Sequence, residues 1–146
     1  MSELLTEALR PAQAGPGLRV AGRFVPGLAR TAEQIPEFQD RWRDTTLEAL
    51  ESPHPELVVF GDSLGQGIGA SEVRRGYVWR VANDMSSRLG PLSVVNVSRS
   101  GARIADVLDT QIPAVAATVK DPIAGVCTVG SNDVIRAARF RPLQAL

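Results

Sequence analysis

Three positions in this chain carry groups suited to acyl chemistry, and each follows a short apolar run. Ser63 stands in Gly61-Asp62-Ser63-Leu64-Gly65, directly after Leu57-Val58-Val59-Phe60. A serine on a tight turn between glycines presents its hydroxyl outward, and a helix starting there adds backbone N–H groups and a positive dipole end for a developing oxyanion. The hydroxyl is a weak nucleophile until a base takes its proton, so the same residues also read as a turn that Asp62 and Ser63 simply cap. Asn132, in Gly130-Ser131-Asn132-Asp133, has a neutral amide with two donor hydrogens, suited to a tetrahedral intermediate. In isolation Asn132 or Asp133 reads equally as a helix cap. Gly101, after Asn96-Val97-Ser98-Arg99-Ser100, offers either a backbone N–H open to close approach or a turn glycine.

Bringing these loops together requires elements that end at one edge. Leu57–Phe60, Leu92–Val97 and Ile123–Val129 are apolar runs without polar alternation, as expected for parallel strands covered on both faces. Between the first two, the spacing of Val78, Val81, Met85 and Leu89 predicts a helix over 77–89, stopped by Gly90-Pro91. Ile104, Val107, Leu108 and Ile112 mark the next, which Pro113 interrupts or restarts, and a last helical segment begins near Val134. Strands alternating with helices predict an α/β domain with a parallel sheet. Functional groups in such sheets gather beyond the carboxyl ends of the strands, and all three polar clusters fall there.

Residues 1–55 read as an N-terminal arm that docks on a domain spanning 56–146. It comprises a short helix over 2–9, an extended stretch over 11–27, and a helix that Pro36 opens. In that helix Phe38, Trp42, Ala49 and Leu50 form a core-facing stripe, Glu37 and Arg41 pair at i,i+4, and Ser52-Pro53-His54-Pro55 ends it.

Composition removes several classes of function. The chain has 146 residues, enough for one ordinary domain, with 16 basic and 16 acidic residues and zero formal net charge. That balance provides no basic stripe for a nucleic acid. One cysteine, Cys127, excludes an internal disulfide and a cysteine-built zinc site, and its apolar neighbours predict a buried side chain. No pair of ligands stands at metal spacing, so neither metal nor cofactor is expected. No run approaches the ~18 apolar residues of a membrane span, and the N-terminus has no basic start followed by an apolar stretch. The expected location is the cytoplasm.

Taken in order, Gly61-Asp62-Ser63-Leu64, the mid-chain Gly101 and Gly130-Ser131-Asn132-Asp133 resemble the first three blocks of the SGNH hydrolases, also called GDSL esterases and lipases. Val58-Val59-Phe60, Gly65-Gln66-Gly67-Ile68-Gly69-Ala70 and Ser100-Gly101-Ala102-Arg103-Ile104 agree at the flanks, so the likeness covers about residues 56–141. It implies a three-layer α/β/α, flavodoxin-like fold and hydrolysis of a small ester through an acyl-serine intermediate. Ser63 is then the nucleophile and a donor through its own N–H. The Gly101 N–H and the Asn132 amide complete the oxyanion hole, with Asp62 and Asp133 as turn and cap residues.

The family's Asp-x-x-His pair, whose histidine is the general base, is absent. The only histidine, His54, precedes the first strand; five strand positions at roughly 3.3 Å each separate it from Ser63 by about 16 Å, far beyond the ~3 Å a base needs. Asp106 and Asp109 have no histidine to orient. The chain is therefore expected to be truncated, nearly inactive on esters, and open at its third strand, where Val126-Cys127-Thr128-Val129 invites self-association. A non-catalytic binding module on the same fold is the alternative. A nucleotide-binding protein is a second one: Gly65-x-Gly67-x-x-Ala70 fits a loose dinucleotide fingerprint. That fingerprint needs an acid after the second strand, however, where Asn96 and Ser98 stand, and Asp84 falls inside a helix.

Overall fold

The chain adopts a mixed α/β fold in which a small parallel sheet carries the three polar loops on one edge. The structure is a computed structural model and describes residues 3–12 and 26–140, with the backbone alone for 26–28 and 137–140. The elements run α1 (Glu3–Ala8), α2 (Pro26–Glu51), β1 (Glu56–Gly61), α3 (Ser63–Gln66), α4 (Tyr77–Leu89), β2 (Ser93–Asn96), α5 (Ile104–Asp106), a π-helical stretch (Val107–Gln111), α6 (Ile112–Thr118), β3 (Pro122–Thr128) and α7 (Ser131–Phe140). β1 lies between the other two strands, giving the order β2-β1-β3, and both pairings are parallel.

Strand β1 is buried on both faces, as its unbroken apolar run requires. Val58 faces a cluster with Leu5, Ala8, Leu9, Val95, Val97, Ala114 and Val115, so α1 and α6 cover that side. Leu57 and Val59 face Val78, Ala82, Val94 and Trp42, under α4. Each buried valine or leucine among them contributes about 1.5–3 kcal/mol. Helix α2 lies along β2, and Thr46 serves the outer edge of that strand: its hydroxyl accepts from Asn96 N at 3.0 Å and donates to Asn96 O at 3.2 Å. A hydroxyl thus takes the place of a neighbouring strand. Helices α1 and α2 thus both pack on the sheet.

Several expectations are corrected here. Helix α2 begins at Pro26, and Pro36 lies inside it. An interior proline costs about 3 kcal/mol through its missing N–H and ring clash; burial of Ile35, Phe38, Gln39 and Trp42 around it offsets that. Of the expected extended stretch, residues 13–25 lie outside the described residues. Glu37 and Arg41 form no ion pair among the described residues. Ile104, Leu108 and Ile112 are exposed, as is Leu89 of α4; the buried side of α5–α6 is instead Val107, Gln111, Ala114 and Val115. Cys127 is exposed rather than buried. On β3, Ala124 and Val126 turn into the α4 face, so Cys127 and Ile123 point to the other, where no described helix covers them.

The end of β1 depends on glycine. Gly61 has φ 119°, and a Cβ there would stand 1.9 Å from Thr128 O. Its own N–H donates to Gln111 Oε1 at 2.7 Å, and its carbonyl accepts from Gln111 Nε2 at 3.0 Å and from Arg99 N at 2.9 Å. The π-helical stretch turns the Gln111 amide onto this residue, a local irregularity of the kind found beside functional sites. Gly61→Ala is expected to lower stability by at least ~3 kcal/mol, from the backbone strain and the clash together. A urea melt reads this directly; a midpoint equal to that of the parent would contradict the glycine requirement.

Candidate active site

The three polar loops form a closed ring of hydrogen bonds beyond the carboxyl ends of the strands. Loop one meets loop two where Gln66 Oε1 accepts from Ser100 N at 3.1 Å and Ser100 Oγ at 2.7 Å. Loop two meets loop three where Asn132 Nδ2 donates to Ala102 O at 2.9 Å and Ile104 N donates to Asp133 Oδ2 at 3.1 Å. Loop three returns to loop one where Ser131 Oγ donates to Asp62 Oδ2 at 2.8 Å. Ser63, Gly101 and Asn132 each sit at or beside a member of this ring, as the parallel arrangement of their strands dictates.

Asp62 and Ser63 divide the work of their turn. Asp62 is fully buried and is the N-cap of α3, accepting from Leu64 N at 3.0 Å through Oδ1 while Oδ2 takes Ser131. Ser63 is half-buried, and its hydroxyl has no hydrogen-bond partner among the described residues. Capping is therefore complete without Ser63. Helix α3 is a single turn of 4 residues, too short for the dipole expected of a full helix; what Ser63 has near it are discrete N–H groups.

Gly101 is exposed with φ 82°, a conformation glycine adopts freely. Its N–H has no acceptor among the described residues, unlike the N–H groups of Ser100 and Ala102 on either side. Asp106 braces this loop: it takes Arg103 N at 2.8 Å and the Arg99 guanidinium at 3.1 Å, both groups of that pair being about a quarter exposed. Asn132 has given one amide hydrogen to Ala102, which leaves it one more donor.

Two candidates are placed elsewhere. His54 is exposed in the turn before β1, at the end of the strand opposite Ser63. Asp84 pairs with Arg88 at 3.1 Å on the exposed side of α4. At the end of β2, Asn96 spends its side chain internally, donating to Gly65 O and accepting from Ser98. A groove of about 650 Å³ between α2 and the segment 71–79 is lined by Arg30, Glu37, Arg41, Arg74 and Trp79; Ser63, Gly101 and Asn132 do not line it. Gln39, Gln66 and Gln111 form the buried polar scaffold of the site, and the spacing of the apolar stripe did not reveal them. Gln39 and Thr46 nevertheless share the buried face of α2 with Trp42, three and four residues away. A polar residue on such a face needs a partner, and that was the available signal.

A parallel α/β sheet whose strand ends present Gly-Asp-Ser, a glycine N–H without an acceptor among the described residues and a Gly-Ser-Asn-Asp loop has the organisation of a serine acylhydrolase fold. Residues 57–145 match the family described as GDSL-like Lipase/Acylhydrolase. The chain belongs to that family, the SGNH hydrolases, and has its α/β fold with a helical N-terminal region. No curated protein and no solved structure matches the chain significantly. Among the described residues, no helix is long and apolar enough to cross a membrane.

Proposed function

We infer that the loop ring is an ester-hydrolysing centre in which Ser63 is the nucleophile. Its own N–H, the Gly101 N–H and the remaining Asn132 donor hydrogen form the oxyanion hole. The observation that carries this reading is the division of labour at the first turn. Asp62 does all the capping, so the half-buried Ser63 hydroxyl has no structural task among the described residues. Asp62 and Asp133 hold the loops and take no part in the chemistry. Attack of Ser63 Oγ on the ester carbonyl forms the Oγ–C bond and moves an electron pair onto the carbonyl oxygen. Collapse of that oxyanion expels the alcohol and leaves an acyl-serine, which water then hydrolyses. The substrate class is a small carboxylic or acetyl ester, with no cofactor.

Among the described residues Ser63 Oγ has no partner to take its proton, and the one histidine, His54, is at the far end of β1. Turnover by these residues alone therefore depends on a base supplied from outside. The same observation favours a second reading, a binding module that keeps the oxyanion donors without catalysis. Acylation by an activated ester in the presence of imidazole separates the two, because a binding module stays unmodified. Asn132→Ala is expected to slow Ser63 acylation by roughly 10²–10³, the effect of losing one oxyanion donor. Stopped-flow release of p-nitrophenol measures it, and an unchanged rate removes Asn132 from the hole.

A further inference from the structure

Helix α2 precedes the family-matched region of residues 57–145, yet it reaches the loops of the site with buried hydrogen bonds. Trp42 Nε1 donates to Gln66 O at 2.9 Å, and Gln66 Nε2 donates to Gln39 Oε1. Gln39, Trp42 and Gln66 are each no more than 2% exposed. The second Nε2 hydrogen of Gln66 goes to Ser98 O at 3.1 Å, and its Oε1 accepts both the N–H and the hydroxyl of Ser100. Every hydrogen-bonding capacity of the Gln66 amide is thus used. Its orientation is set by backbone groups that cannot invert: Ser98 presents a carbonyl and Ser100 an N–H.

Gln39 holds the inner end of this chain of contacts. With an apolar side chain at 39, one Gln66 hydrogen is buried without an acceptor, a state that side chains avoid by turning or admitting water. Either response releases Ser100, whose peptide carbonyl is followed directly by the Gly101 N–H. We propose that Gln39 is a positioning residue: acting through Gln66 and Ser100, it aims the Gly101 N–H at the substrate oxyanion formed when Ser63 attacks. The proposal rests on the ester-hydrolysing reading, and it gives the N-terminal helix a role in that site.

Amide hydrogen exchange followed by NMR on the full chain tests it in Gln39→Met and Gln39→Asn, the second retaining an amide too short to reach Gln66. The Ser100 amide is expected to exchange about tenfold faster in both, while the Val97 amide, bonded to Val59 O in the sheet, keeps its parent rate. Imidazole-assisted acylation by p-nitrophenyl acetate is expected to lose about tenfold in kcat with KM unchanged, the mark of a contact made in the transition state. Unchanged Ser100 exchange overturns the proposal, and so does an equal acceleration at Ser100 and Val97, which signals general loosening. If neither variant folds, the parent chain decides: Ser100 must be protected and Gly101 exchange freely, and equal rates at the two overturn it. Acylation in the parent that ignores Ser63→Ala sinks the hydrolase reading instead, and the exchange result stands apart from it.

Discussion

On p-nitrophenyl acetate, these residues alone are expected to turn over around 10⁴–10⁶-fold below a complete serine hydrolase, and added imidazole is expected to raise the rate through Ser63. The reason is proton bookkeeping at one atom. A serine hydroxyl must lose its proton as the Oγ–C bond forms, and the described residues give Ser63 Oγ no partner at all. Loss of a triad member in a serine hydrolase costs around 10⁴–10⁶ in turnover, with ~10³–10⁴ over water left to binding and the oxyanion donors. Free imidazole has the chemistry of the missing base, and Ser63 is only half-buried. Only the neutral ring accepts a proton, so the increment should grow as pH rises through neutrality. Initial rates for the parent and Ser63→Ala, with and without imidazole, measure the effect. The imidazole-dependent increment above the buffer reaction should vanish in Ser63→Ala. Enzyme-like turnover without imidazole would show that another group in these residues serves as the base.

Trp42→Ala is expected to cost about 3–5 kcal/mol, the usual range for truncating a buried aromatic. Trp42 is 1% exposed, lies stacked on Trp79 with ring centroids 5.4 Å apart, and joins α2 to the α4 face of the sheet. Its indole N–H also satisfies the Gln66 carbonyl, so truncation leaves a buried acceptor bare as well as a cavity. Against a total stability of about 5–15 kcal/mol, that is a fall in melting temperature of the order of 10 °C. Trp42→Phe restores most of the volume and isolates the lost hydrogen bond, at about 1–3 kcal/mol. Trp79→Phe is the control: the Trp79 N–H is buried with no partner among the described residues, so its removal relieves a penalty. Thermal melts followed by circular dichroism rank the three. A Trp79→Phe loss as large as that of Trp42→Ala would overturn the assignment of Trp42 as the joint.

The parallel sheet was legible in the sequence because β-branched runs without polar alternation leave few other structures open. Tyr77–Leu89 was equally clear, its ends fixed by periodicity and by Gly90. The site loops followed from the same pattern, since a parallel sheet must deliver all its strand ends to one edge. Cys127 was misread for a physical reason: an apolar run on a central strand is buried on both sides, whereas β3 pairs only with β1 among the described residues. Pro36 was misread because local propensity marks proline as a helix start, and tertiary burial around it overrode that preference. The least legible feature was the glutamine scaffold. Gln66 lies in the glycine-rich segment that also suggested a nucleotide loop, and Gln39 interrupts an apolar stripe. Only the fold reveals that they meet, along with the π-helical turn that brings Gln111 to Gly61.

Peptide mapping after brief exposure to p-nitrophenyl acetate and imidazole locates the reacting atom itself. A nucleophile served by convergent donors predicts an acetyl group on Ser63, lost in Ser63→Ala and sharply reduced in Asn132→Ala. Acetylation spread evenly over exposed serines such as Ser71 and Ser87, with Ser63 no more reactive than they are, would contradict an acyl-transfer site at the meeting of the three loops.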